Sequence, residues 1–115
     1  AALTPVIKEV YERGTPVIVF DRNINGDTYT ARIGVDDVGL GRAAARYAQH
    51  LIGTRGKVIE IYGLPGSTPA EDRHKGFTAQ LQAQGGTILA SAAADWNKEE
   101  AARAADSLLN LYPDA

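Results

Sequence analysis

Short apolar runs that alternate with amphipathic stretches constrain this chain more than any other feature. PVIVF (16–20) is a short continuous apolar run rich in β-branched residues, and KVIEIYG (57–63) and TILASAAAD (87–95) read as further strands. Runs of that kind read as strands covered on both faces. TYTARIGV (28–35) alternates weakly and reads as a fourth strand. Between them lie helical stripes: Leu3, Val6, Ile7, Val10 and Tyr11; then Leu40, Ala44, Tyr47, Ala48, Leu51 and Ile52; then Ala70, Phe77 and Leu81; then Ala101, Ala105, Leu108, Leu109 and Tyr112. The order α-β-β-α-β-α-β-α predicts an α/β fold, a parallel sheet of four short strands flanked by helices.

Local punctuation places the element ends. Thr4-Pro5 and Thr68-Pro69-Ala70-Glu71 read as helix starts with Thr as cap, the second in the form of a capping box. Asp36 and Asp37 stand where another cap is wanted, and Asn97-Lys98-Glu99-Glu100 is a further box-like start. Asn25-Gly26 is turn chemistry, while Gly14 and Gly85-Gly86 are stops.

In an open α/β sheet, ligands gather beyond the carboxyl ends of the strands. On this reading that rim carries Asp21 and Arg22 after the first strand, Asp36 and Asp37 after the second, loop 63–68 and Arg73 after the third, and Asp95 and Trp96 after the fourth. Carboxylates accept from adjacent hydroxyls, a guanidinium donates to two, and an indole covers an apolar ring face. Together they suit a neutral polyol. Each residue has a plainer reading as well. Asp21 and Arg22 make a surface pair, Arg73 pairs with Glu71, Asp72 or a neighbouring strand, Trp96 is core, and Asp36 or Asp37 is only a cap.

Other chemistries find less support. The net charge is −2, with no basic footprint for nucleic acid. There is no cysteine, which removes disulfides and thiolate chemistry. No apolar run approaches the roughly 20 residues of a membrane span. GLPGST (63–68) has the glycines of a phosphate loop but not its lysine, although an anion at the following helix start stays open. Ser67 lies in no nucleophile elbow. His50 and His74 have no metal or triad spacing and read as solvated helix residues. No catalytic residue, metal ligand or cofactor is expected. The chain starts at Ala1, contains no Met and ends LYPDA, which reads as a piece of a longer protein.

GTPVIVFDR, IGVDDVGLGRAAARY, VIEIYGLPGSTPAEDRHKGF, ADW and LLNLYPDA, in this order, resemble the periplasmic sugar-binding protein family of the ribose-binding type. The third and the last two look most like periplasmic sensor domains of hybrid two-component histidine kinases. The resemblance implies two Rossmann-like lobes with a monosaccharide such as ribose or fructose between them. It implies that residues 1–33 end the first lobe, that 34–115 begin the second, and that Thr30–Val35 form the first crossover. It implies that Asp21 and Arg22 bind sugar from the first lobe, and that Arg73 and Trp96 do so from the second. It also implies a periplasmic location and a parent that works as a homodimer or with a membrane kinase or permease. The sugar-effector domain of a transcription repressor of the same fold is the alternative. The chain departs from the family at Asp37, where ribose binders often carry Asn, and it lacks the first strands and the strand after the last helix.

Overall fold

A computed structural model describes residues 2–115. Four helices are present: α1 (Thr4–Glu12), α2 (Asp37–Ile52), α3 (Thr68–Ala83) and α4 (Lys98–Leu111). The four strands are β1 (Ile18–Phe20), β2 (Ala31–Ile33), β3 (Lys57–Tyr62) and β4 (Thr87–Ala93). The order matches the sequence expectation, but the strands do not join in one sheet. β1 pairs in parallel with β2, with Val19 opposite Arg32, and β3 pairs in parallel with β4, with Ile61 opposite Ala92. Apolar periodicity reports that a strand is covered, not which strand lies beside it. The second strand also shrinks from 28–35 to its middle three residues, because its weak alternation offers no face to bury.

Each sheet has its own small core. Val19 and Ile24 are buried near the first, and Ala45, Ala70, Leu81 and Ala94 near the second. Phe20 stays 74% exposed and Ile18 and Ile33 are also open. The shape follows from this: the radius of gyration is 17.1 Å, with extents of 55 × 29 × 16 Å. A compact domain of this length has a radius of about 13 Å.

Helix ends follow local rules where a cap suffices. Asp36 Oδ1 accepts from Gly39 N at 2.9 Å, and Asn97 Oδ1 accepts from Glu99 N and Glu100 N. The two Thr-Pro starts depart from expectation in the same way. Leu3 and Ser67 take the N-cap positions, with no side-chain cap bond, and each Thr becomes the first helical residue. Each freed hydroxyl then accepts a backbone N–H from the loop after β1. Thr4 Oγ1 takes Asn25 N at 3.1 Å, and Thr68 Oγ1 takes Asn23 N at 2.7 Å. The second of these bonds ties the β1 end to the start of α3, in the other half of the chain. Glu71 still reaches back, but to Gly66 N at 2.9 Å.

Helices α2 and α3 meet backbone to backbone. A Cβ on Gly41 would collide with the carbonyl oxygen of Arg73, and one on Gly76 with that of Val38. Neither obstacle is a flexible side-chain end. Gly41→Ala or Gly76→Ala in the full-length protein is expected to cost about 1–3 kcal/mol through overpacking, despite the better helix propensity of alanine. Thermal unfolding checks this, and an unchanged melting temperature for both would contradict the close crossing.

Candidate functional site

The ends of the strands carry the chain's unusual backbone. Among the described residues, three non-glycine residues have positive φ: Asp21 (65°), Asp95 (49°) and Trp96 (62°). All three follow a strand at its carboxyl end. Such conformations cost of order 1–3 kcal/mol each and persist where surrounding structure holds them. The Asp21 N–H donates to Ile33 O at 2.9 Å, which carries the β1–β2 ladder to the bend itself.

Asp21 and Arg22 are exposed and make no side-chain hydrogen bond or ion pair among the described residues. They are therefore not a surface pair. They line an open groove of about 1080 Å³. Its walls come from the ends of β1 and β2, including Phe20, Ile33 and Val35, from Leu3 and Ile7 at α1, and from residues 64–68.

Arg73 and Trp96 are brought together in a second, smaller cavity of about 340 Å³. The Arg73 guanidinium carbon lies 5.7 Å from the Trp96 ring centroid, within cation–π range. Arg73 Nε donates to Asp37 Oδ1 at 2.8 Å. Trp96 is 52% exposed and so is not core. One side of its indole rests on Gly63, where any Cβ would run into the ring. The two cavities share no lining residue. Of two consecutive residues after β3, Gly63 lines the second and Leu64 the first. The four expected residues thus fall into two groups, one in each cavity.

Three features escaped the sequence reading. Asp37 is not a spare cap, because Asp36 caps α2 alone; Asp37 is 6% exposed and holds Arg73. Two acids at a start that needs one cap were the available signal. Gly63 is the seat of the indole, and no local pattern marks it. His74 is not merely solvated. Its Nδ1 lies 2.7 Å from Glu60 Oε2, to which Ser91 Oγ also donates at 2.9 Å. That network fastens α3 to both strands of the second sheet. At loop 63–68 the Glu71 carboxylate already accepts from Gly66 N, so an anion there would face a negative charge in its place.

Comparison with known proteins places these features in a wider group. The model of the periplasmic binding protein domain matches residues 1–115. The ribose import binding protein of Escherichia coli K12 is 30% identical over 113 residues, 98% of this chain and 38% of that protein. Among solved structures, the fructose-binding periplasmic domain of a hybrid two-component system superposes with a TM-score of 0.93 at 38% identity. That match covers 99% of this chain and 38% of the other. A glucose-galactose binding protein from Geobacillus stearothermophilus gives a TM-score of 0.90 at 25% identity, over 97% of this chain and 40% of the other. The chain therefore spans less than half the length of each of these relatives.

The left-handed bend after β4 gives a direct test. Asp95→Val should destabilise the full-length protein by about 1–2 kcal/mol relative to Asp95→Gly, because a β-branched residue opposes positive φ. Chemical denaturation of the two variants measures the difference, and equal stabilities would show that the bend is not held.

Proposed function

The chain belongs to the periplasmic binding protein domain family, and from that premise we propose that it is part of a monosaccharide receptor that recognises its ligand without transforming it. Residues 1–33 close one lobe and residues 34–115 open the second. The sugar lies between them, with Asp21 and Arg22 on one side and Arg73 and Trp96 on the other. The observation that carries this reading is the Arg73 guanidinium held over the ring of a half-exposed indole. An indole offers a flat apolar surface to the C–H face of a sugar ring, while the guanidinium donates to hydroxyls at the ring edge. Hydrogen bonds to charged groups contribute roughly 1.5–3 kcal/mol when water is excluded.

Exclusion of water requires the two sides to approach. Sugar makes more contacts in the closed arrangement than in the open one, and that difference shifts the population toward closure. We take the parent to be a periplasmic sensor, supported by the likeness to the fructose-binding domain of a two-component system. Its closure would be passed to a homodimer partner or a membrane kinase. Fructose and ribose are the first ligands to try, given what the relatives bind.

Titration calorimetry of the full-length protein with fructose, ribose, glucose and galactose tests the reading. Saturable binding of at least one is expected, and no heat with any of them would overturn it. Gly63→Val, which pushes the indole from its seat, should weaken the same binding by about tenfold or more. Unchanged affinity would remove Trp96 from the site.

A further inference from the structure

We propose that Glu60 is a positioning residue for the sugar site: through His74 and Ser91, its carboxylate sets where Arg73 stands relative to Trp96. The inference rests on the receptor reading given above and adds a residue, beyond the four proposed contacts, on which the grip on sugar depends.

The first support is what the carboxylate joins. His74 Nδ1 lies 2.7 Å from Glu60 Oε2, and Ser91 Oγ donates to the same oxygen at 2.9 Å. A carboxylate only accepts, so the His74 contact requires a proton on Nδ1. Glu60 Oε1 also lies 2.9 Å from that nitrogen, which commits the carboxylate inside the protein rather than to ligand. His74 directly follows Arg73 on α3. Ser91 stands opposite Glu60 in the β3–β4 ladder, on the strand whose end leads to Trp96. One oxygen therefore ties the helix that carries the guanidinium to the strand that leads to the indole. Glu60, His74, Arg73 and Trp96 line the same cavity. With the guanidinium 5.7 Å from the ring centroid, a small turn of α3 would carry Arg73 off the indole.

The second support is where the pair sits. Ala70, Phe77 and Leu81 form the apolar stripe of α3, and Ala70 and Leu81 are buried. His74 falls between Ala70 and Phe77 at helical spacing, in a slot where the period calls for an apolar residue. Glu60 likewise interrupts the apolar strand KVIEIY, with its side chain only 12% exposed. A carboxylate so covered costs free energy unless it is hydrogen-bonded, and apolar replacements of such pairs are often neutral or stabilising. Stability therefore gives no account of the pair. Apolar side chains tolerate sliding, whereas a satisfied polar network holds one arrangement. A guanidinium and an indole that must meet one ring together need that single arrangement.

Replacing both partners, Glu60→Leu with His74→Leu, separates positioning from stability. In the full-length protein the melting temperature should be no lower than that of the wild type. Calorimetry with fructose, ribose, glucose and galactose should show the bound sugar weakened by about tenfold or more. Unchanged affinity in the folded double variant would overturn the proposal. Should that variant fail to fold, Ser91→Ala, at an exposed position, removes one tie and should weaken the sugar by about threefold. Unchanged affinity there is equally damaging. Glu60→Gln, whose carbonyl oxygen can take the Oε2 place, should stay within about threefold of the wild type. A loss as large as that of the double variant would show that these bonds are not what positions Arg73. NMR of the Trp96 indole N–H, identified through Trp96→Phe, reads the geometry without sugar. Its resonance should move or split in the double variant and return in Glu60→Gln, and one resonance common to all would show that Glu60 does not set the site. If the wild type binds no sugar, the receptor reading falls and takes the affinity claim with it, and the indole resonance alone decides the geometry.

Discussion

The crossing of α2 and α3 decides where the charged groups of this chain can go. Gly41 and Gly76 let the two helices approach until each glycine faces a carbonyl oxygen of the other helix. Arg73 owns one of those carbonyls, so its Cα is fixed against α2. Asp37 lies one turn before Gly41 on that helix. At such a distance the two side chains meet without effort, and the pair forms at 2.8 Å. A larger residue at Gly41 would separate the helices and leave Asp37 buried with nothing to balance it. Breaking such pairs is far more damaging than never having made them. The small residues and the ion pair are therefore one design, although they lie far apart in the sequence.

A second set of long-range ties runs through threonine. Thr4 and Thr68 each precede a proline at the start of a helix, and each was expected to cap. Both instead sit inside the first turn and turn their hydroxyls to the loop after β1, at Asn25 and Asn23. The bond from Asn23 spans 45 residues and is partly buried. Here the limit of sequence reading is physical rather than statistical. Asp36, Asn97 and Gly85 act on neighbours within a few residues, and their roles were legible. Thr68, Asp37, Gly63 and Glu60 act on groups that only the fold brings near. The alternation of strands and helices showed the α/β class. It was silent on the split into two sheets, because burial of a strand does not name its neighbour. The four candidate ligand residues, which the sequence reading set on one rim, line two separate cavities, Asp21 and Arg22 in one and Arg73 and Trp96 in the other.

The rim is also where backbone is held against its preference. Asp21, Asp95 and Trp96 all take left-handed conformations within three residues of a strand end. Aspartate tolerates this through local hydrogen bonding, whereas tryptophan has no such relief. Trp96 is nonetheless held there, with Gly63 beneath its ring and Arg73 near its face. If Trp96 contacts ligand as proposed, an indole held in this way would lose little freedom on binding, so less of the binding energy would be spent on ordering it. Strain at the strand ends and rigidity of the contact surface are two sides of the same arrangement.

A buried-looking strand that ends in Asp21 and Arg22 is then intelligible. Both groups remain exposed and unbonded among the described residues, so each keeps its water. Arg73 is better fixed, yet two-fifths of its side chain is still exposed. Hydrogen bonds formed in such settings gain little, because water competes for every donor and acceptor. The same groups become strong only if a second surface covers them as the ligand arrives. Affinity in a site of this kind therefore cannot be separated from closure. On the proposed reading, the polar residues would provide selectivity, and the approach of the two sides would turn it into binding free energy. On that reading, a receptor built this way would move because it binds, and that movement would be the signal it transmits.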